Sequence, residues 1–357
     1  MKNLLIISKE QFGYHTDVYK WCEYLREEYR ICVVCIGSRP KVQLKDVDVC
    51  YVPPIGSRAI KGILYILVSL FKMLLHNGEI IVCNFTGCTI FKKLLPWKRM
   101  ILDIRTLGII KDKELRARED KQTKRTAELY DYVTIISEGT RKKIGLSKEK
   151  STILPLGADI VSKTNKDFNT LRLLYIGTLQ DRDIDKTIKG LAMFIKKYPT
   201  VDITYDIIGS GYDNEVERFI VLTKELGIEK IVKLHGYVQH DKLKEFYDKC
   251  NVGVSFVPIA DYYDHQPVTK TYEYVLSGLY TIATNTISNK QIITEQNGFL
   301  IDDTAESFAS GIEYITNNSI RIDGKKIRET LIDAQWEKIV KETMLPTLKD
   351  IRKRFNQ

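Results

Sequence analysis

The sequence predicts an α/β fold made of two doubly wound, mostly parallel domains. Three observations carry that prediction. Short apolar strand-like runs alternate with helical stretches along the chain, which argues for parallel sheets covered on both faces. The alternation occurs twice, and a polar run at residues 161–170 separates the two halves. A chain of 357 residues, 44% hydrophobic and 28% charged, is long enough for two cores of ordinary size in a globular protein.

In the first half, strands are predicted at residues 3–7, 31–36, 49–52, 79–83, 99–103, 132–136 and 151–154, and helices at 15–28, 60–76, 113–129 and 139–144. The apolar run at the start, from Met1 to Ser8, is too brief for a signal peptide and reads as the first strand. The longest apolar segment, 62–75, falls short of the ~20 residues that span a bilayer. Lys72 interrupts it, and a cytoplasmic location is expected. The segment reads either as a buried helix or, with Arg58, Lys61, Lys92, Lys93, Lys98 and Arg99 around it, as a surface that touches a membrane.

Cys32 and Cys35 lie in a strand, where residues three apart face opposite sides, so chelation is not expected. All seven cysteines read as reduced core thiols. The net charge of +9 suits phosphate-bearing substrates and an anionic membrane surface. It is diffuse and accompanied by no nucleic-acid motif, so no nucleic-acid partner is expected.

The second half repeats the plan: strand 171–176, helix 185–198, strand 202–208, helix 213–226, strand 231–235 and helix 240–249. The most informative stretch follows, from Val252 to Asp302. An apolar strand leads into the polar aromatic loop Asp261-Tyr-Tyr-Asp-His-Gln266, then into a helix from Pro267 that Gly278 stops. Pro267 fits a first helical turn, where a missing N–H costs little. The helix start at Val268, Thr269 and Lys270 would offer backbone N–H groups and a partial positive charge to an anion. Glu273 sits one turn deeper on the face of Lys270, placed to accept from ribose hydroxyls. The last stretch, 334–355, is amphipathic and helical, with a break or kink expected at Pro346.

This arrangement resembles the donor-binding signature of glycosyltransferase family 4. Members carry Glu, seven residues and a second Glu, which Glu273 matches. His265 occupies the place of the first Glu. A subgroup has Pro-x-x-Lys-x-x-Glu-Tyr, the form this chain shows from Pro267 to Tyr274. The resemblance implies the GT-B architecture, two Rossmann-like domains facing a cleft. Residues 1–160 would form an acceptor domain, 161–170 a linker and 171–335 a nucleotide-sugar donor domain. Residues 336–357 would form a helix returning to the first domain. The family's Pro-x-Gly-x-Asp junction matches Pro155 to Asp159.

Further site residues follow from the same resemblance. The family clamps the donor pyrophosphate with an Arg and a Lys; here Thr178 stands at the Arg position and Arg182 near the Lys position. Arg grips pyrophosphate bidentately, so Arg182 would replace much of the lost charge. Gly209 and Gly211 follow a strand and resemble the family's Gly-x-Gly, though Asn214 stands where a dinucleotide fingerprint has its third glycine. Tyr237 would stack on the base or be a plain loop residue. Gly13 is the one glycine left in the loop that closes on donor phosphate, with His15 beside it. Asp103 and Arg105 end a strand where relatives contact the transferred sugar or the acceptor; a buried ion pair fixing the loop is the other reading.

The implied activity is retaining transfer of a hexose or N-acetylhexosamine from a nucleoside diphosphate sugar, UDP-sugar favoured, to an acceptor hydroxyl. The acceptor would be a glycan or a lipid-linked carrier. Catalysis would use Asp103, Arg105 and His265, with no metal and no cofactor beyond the donor. Acid pairs such as Asp181/Asp183 mimic a metal motif outside its context and read as solvated. A non-catalytic subunit of the same architecture and a nucleotide-sugar epimerase are the alternatives.

Overall fold

A computed structural model describes residues 1–211 and 214–356. The chain forms two compact units. One comprises Met1–Leu156 together with the chain from Trp336 onward, and the other is Gly157–Gln335.

The first unit contains β1 (Lys2–Ile7), α1 (Thr16–Leu25), β2 (Tyr29–Ile36), β3 (Val47–Val52), α2 (Arg58–Leu75), β4 (Glu79–Cys83), α3 (Thr89–Leu94), β5 (Ile101–Ile104), α4 (Lys113–Leu129), β6 (Tyr132–Ile135), α5 (Glu138–Lys143) and β7 (Ser151–Ile153). Its strands pair in the order β3-β2-β1-β4-β5-β6-β7, all parallel. Strands such as β4, β5 and β6 are buried along their whole length, which is why they read as continuous apolar runs. Tyr65 and Met73 of α2, Phe91 of α3 and Ala127 of α4 join one cluster on a face of this sheet.

The second unit contains β8 (Leu171–Ile176), α6 (Ile184–Lys197), β9 (Ile203–Ile208), α7 (Glu215–Glu225), β10 (Val232–Leu234), α8 (Leu243–Lys249), β11 (Val252–Ser255), α9 (Asp261–Asp264), α10 (Thr269–Leu276), β12 (Tyr280–Thr284), α11 (Ile287–Lys290), β13 (Gly298–Ile301), α12 (Ala305–Asn318) and α13 (Gly324–Glu329). Its sheet runs β10-β9-β8-β11-β12-β13, again all parallel. Strand order reverses between β8 and β11, so the loops leaving those strands open a crevice at the carboxyl edge.

The chain then returns through α14 (Trp336–Lys338), a π-helical segment (Ile339–Met344) and α15 (Leu345–Asn356). Pro346 does not break this helix. The ladder widens just before it, where the Leu345 N–H reaches the Val340 carbonyl five residues back.

Three further differences from expectation have physical causes. Residues 161–170 are not a free linker. Phe168 is buried in the second core, and the N–H groups of Val161 and Ser162 both donate to the Ser277 hydroxyl at 3.2 Å. The polarity of this run reflects both: Lys163, Thr164, Asn165, Asp167 and Asn169 are exposed, while Ser162 is buried and hydrogen-bonded internally. Pro267 lies before the N-cap, Val268, so it shapes the entry to α10 and is not in its first turn. The helix expected from Asp213 begins at Glu215 among the described residues; Asp213 lies outside them. Of the seven cysteines, Cys22, Cys35, Cys83, Cys88 and Cys250 are buried in the cores as expected, whereas Cys32 and Cys50 are only partly buried.

Candidate functional site

Three turns stack at the carboxyl edge of the second sheet. The Gly177 N–H donates to the Ile208 carbonyl at 3.0 Å, the Leu179 N–H to Ser210 at 3.1 Å, and the Gly209 N–H to the Gly236 carbonyl at 2.8 Å. Gly209 has φ +154°, and a Cβ on it would lie 1.8 Å from the Gly177 carbonyl oxygen. The β8 and β9 turns therefore touch backbone to backbone. A Cβ on Gly211 would run into the Glu215 carboxylate. Tyr237, next after Gly236, is 76% exposed.

Two cations face this crevice on aromatic rings. Lys270, in the first turn of α10, holds its Nζ 3.7 Å from the centre of the Tyr175 ring. The Arg182 guanidinium lies 4.4 Å from the centre of the Tyr263 ring. Tyr175 is itself fixed, its hydroxyl donating to the Thr178 carbonyl at 2.7 Å. Burial pushes the Lys270 ammonium well below its ordinary pKa, and the Arg182 charge pushes the same way. Thr178 is exposed and joins the site through its backbone.

The start of α10 is positioned from below. Thr271 is bonded to Ser255 of β11 at 2.6 Å and to Asn289 at 3.2 Å. The Tyr274 hydroxyl accepts the Ile176 N–H at 2.8 Å. Val268 caps the helix with no side-chain hydrogen bond, and Thr269 follows it. Glu273 is partly buried and accepts from the Tyr247 hydroxyl at 3.0 Å. Burial pushes its carboxyl up to about 7, with the Asp159 charge adding to the shift. His265 follows α9, partly buried. Thus Thr178, Arg182, Gly209, Gly211, Lys270 and Glu273 all lie on loops or helix turns at one edge of this sheet.

The first unit carries a separate buried polar cluster at the carboxyl edge of its own sheet. Arg105 donates from Nε to Asp17 at 3.0 Å and from Nη1 to the Leu154 carbonyl at 2.6 Å. His15, the N-cap of α1, lies 3.6 Å from the same Asp17 carboxylate. Burial alone would raise the Asp17 carboxyl, but the charge of Arg105 and the His15 hydrogen bond bring it below its ordinary range. Asp103 accepts from the Thr134 hydroxyl at 2.7 Å, while its other carboxylate oxygen is buried without a hydrogen-bond partner among the described residues. Burial raises Asp103 to about 6 against the pull of Arg105. Arg105 thus pairs directly with Asp17, not with Asp103. Gly13 has φ +88°, and Val42 fills the space on its Cβ side. Its glycine is required by that turn and by the loop packed against it.

Residues 170–318 match the family model described as Glycosyl transferases group 1. The match covers β8 through α12 of the second unit. The whole chain has the GT-B fold. It is similar to a glycosyltransferase from Rickettsia africae, with TM-score 0.76, 13% identity and 99% of each chain covered. It is similar to sucrose-phosphate synthase from Thermosynechococcus elongatus, with TM-score 0.75, 16% identity and 100% of each chain covered. HepE from Anabaena, in complex with UDP and glucose, matches with TM-score 0.75 and 14% identity over 98% of this chain and 100% of its own. No curated protein sequence matches the chain.

Within the second unit the sequence reading missed Tyr175, Tyr263 and Tyr247. Tyr175 and Tyr263 lie far from each other in sequence and meet the two cations only because β8 and β11 are neighbours. In the first unit it missed Asp17 and Thr134. Asp17 left a signal, an acid in the first turn of a helix beginning at a His.

Proposed function

We propose that the chain transfers a hexose or N-acetylhexosamine from a nucleoside diphosphate sugar, by preference a UDP-sugar, to an acceptor hydroxyl with retention of configuration. The observation that carries this reading is the pair Lys270 and Arg182, two partly buried cations held together on tyrosine faces beside an uncapped helix start. Placing two cations side by side away from water is unfavourable unless an anion joins them. A diphosphate supplies that anion, and the same groups stabilise it as the leaving group. Glu273 then takes the ribose, Tyr237 the base, and His265 the hydroxyls of the transferred sugar. The site asks for no metal, because the cations and helix start supply the positive charge, and for no cofactor beyond the donor. The UDP held by HepE supports the choice of nucleotide.

The acceptor is a glycan or lipid-linked glycan in this reading, and Asp103 and Arg105 serve its side of the reaction. Among the described residues no helix is long and apolar enough to cross a membrane. Peripheral contact through α2 fits the helix's exposed stripe of Ile60, Ile63, Leu67, Phe71 and Leu74, each at least half exposed. The chain similar in fold that is involved in lipopolysaccharide biosynthesis supports a surface-glycan acceptor.

A thermal-shift screen of the purified protein against UDP-, GDP-, ADP- and CDP-sugars tests the donor. A ligand at a hundred times its Kd stabilises by about 2.7 kcal/mol, so the preferred donor stands out. No shift with any of them overturns the proposal. Release or transfer of sugar separates an enzyme from a non-catalytic subunit, and the product separates a transferase from an epimerase.

A further inference from the structure

A cavity of about 410 Å³ opens in the first unit between the loop after β4, the loop after β5 and one face of α4. Its volume lies in the range of small-molecule sites, about 300–1,000 Å³. From α4 it receives Glu119, Gln122, Thr123 and Thr126, spaced so that they form a single stripe. That stripe is unusual for this helix. α4 carries six cations, Lys113, Arg116, Arg118, Lys121, Lys124 and Arg125, yet none lines the cavity. Arg116 is buried and donates to the carbonyls of Ile110 at 2.6 Å and Lys111 at 3.4 Å, which holds the loop wall in place. The Gly108 N–H is held to Asp120 at 3.3 Å, fixing the same wall to the helix.

The lining is therefore hydroxyls and amides around an apolar patch. Thr86, Thr106 and Thr123 supply hydroxyls and Gln122 an amide. Phe85, Leu107 and Ile109 supply the apolar surface. Glu119 is the one ionisable side chain of this lining among the described residues. A phosphate would meet a carboxylate and no cation here. A pyranose ring would place its C–H face on the apolar patch and its hydroxyls on Gln122, Thr123 and the Glu119 carboxylate, which accepts from them.

We infer that this cavity is a subsite for an uncharged sugar ring of the acceptor, and that the acceptor group presented to this unit is a sugar, not a bare lipid phosphate. The inference rests on the reading of the chain as a sugar transferase. It is tested by saturation-transfer NMR on the full-length protein. The probes are the methyl glycosides of glucose, galactose, mannose and N-acetylglucosamine, with glucose 6-phosphate as the charged counterpart. At least one neutral glycoside should give a signal that Gln122→Leu weakens fivefold or more and Thr123→Trp abolishes, with UDP affinity within twofold of wild type in both. Glucose 6-phosphate should give a weaker signal than the best glycoside. Silence from every neutral glycoside, signals unchanged in both variants, or stronger binding of the phosphate overturns the inference. If Thr123→Trp does not fold, Gln122→Leu decides alone, since Gln122 is exposed. Failure of UDP-sugars to bind the wild-type protein would remove the donor reading, while the glycoside signals would still report on this cavity.

Discussion

Lys270 stands over the face of Tyr175, its ammonium 3.7 Å from the ring centre, with the Arg182 charge acting on it. The ring face offsets part of the cost of holding two cations together. The remaining cost makes this region ready for an anion and gives the first prediction. Arg182→Ala should weaken UDP binding by about 10- to 100-fold, from the ~1.5–3 kcal/mol of a charge-assisted contact, and leave uridine binding within about twofold. Lys270→Met should cause a comparable loss and yet raise the ligand-free thermal midpoint by roughly 2–4 °C, about 1 kcal/mol, because a desolvated charge is removed. Calorimetry with both ligands and a melting curve check this. Equal losses for UDP and uridine would assign Arg182 a structural role.

Glu273 should make nucleotide binding and stability depend on pH in opposite directions. Its carboxyl titrates near 7 in the folded protein, against an ordinary value of 4.5. Ribose hydroxyls donate best to the ionised form, so affinity for UDP should rise as pH climbs through 7. The unfolded chain ionises this group first, so its contribution to stability falls as pH rises from about 4.5 to about 7. Glu273→Gln should flatten both slopes and weaken UDP about tenfold at pH 8, the ~1.4 kcal/mol of one hydrogen bond. Affinity equal to that of the wild type at every pH in this variant would take Glu273 out of the ribose contact.

Transfer should proceed without a divalent metal. Excess EDTA is expected to leave the initial rate within about twofold, ~0.4 kcal/mol in the barrier. Collapse of the rate in EDTA, with rescue by Mg²⁺ or Mn²⁺, would show that Lys270, Arg182 and the start of α10 do not suffice.

Binding to anionic vesicles should depend more on the apolar stripe of α2 than on the lysines that follow it. Lys92 is held by Asp131 at 2.7 Å and Lys98 by the His76 carbonyl at 2.8 Å, so these two are structural. Leu67→Ser with Phe71→Ser should weaken vesicle binding at least tenfold, given ~1.5–3 kcal/mol for fully burying such a side chain. High salt should reduce what remains. Flotation at two salt concentrations reads both effects, and UDP-induced thermal shifts should be unaltered. No vesicle binding by the wild-type protein at low salt would leave a soluble acceptor.

Much of the architecture was legible because its strands are short, parallel and buried, so each appears as an apolar run between helical stretches. The helix α10 and its Lys270 and Glu273 were legible because three and four residues bring side chains to one helical face. What escaped depends on contacts between distant segments. The run 161–170 is polar in composition, but Ser162 is fully buried and its polar groups are satisfied internally. The helix α12 went unread although Phe308, Ile312 and Ile315 form its buried stripe behind a Thr304 cap. One of the two readings of Asp103 and Arg105 paired them with each other, whereas the fold gives Arg105 Asp17 from α1. Nothing local to either residue encodes that choice.

The contact between Gly177 and Gly209 has a consequence for how this chain can change. With no room for even one methyl group between the β8 and β9 turns, neither turn can shift without carrying the other. Under the proposed function, altered donor preference is therefore open to the side chains around them, such as Thr178, Ser210 and Tyr237, while the two glycines act as a rigid seam against which any new specificity must be built.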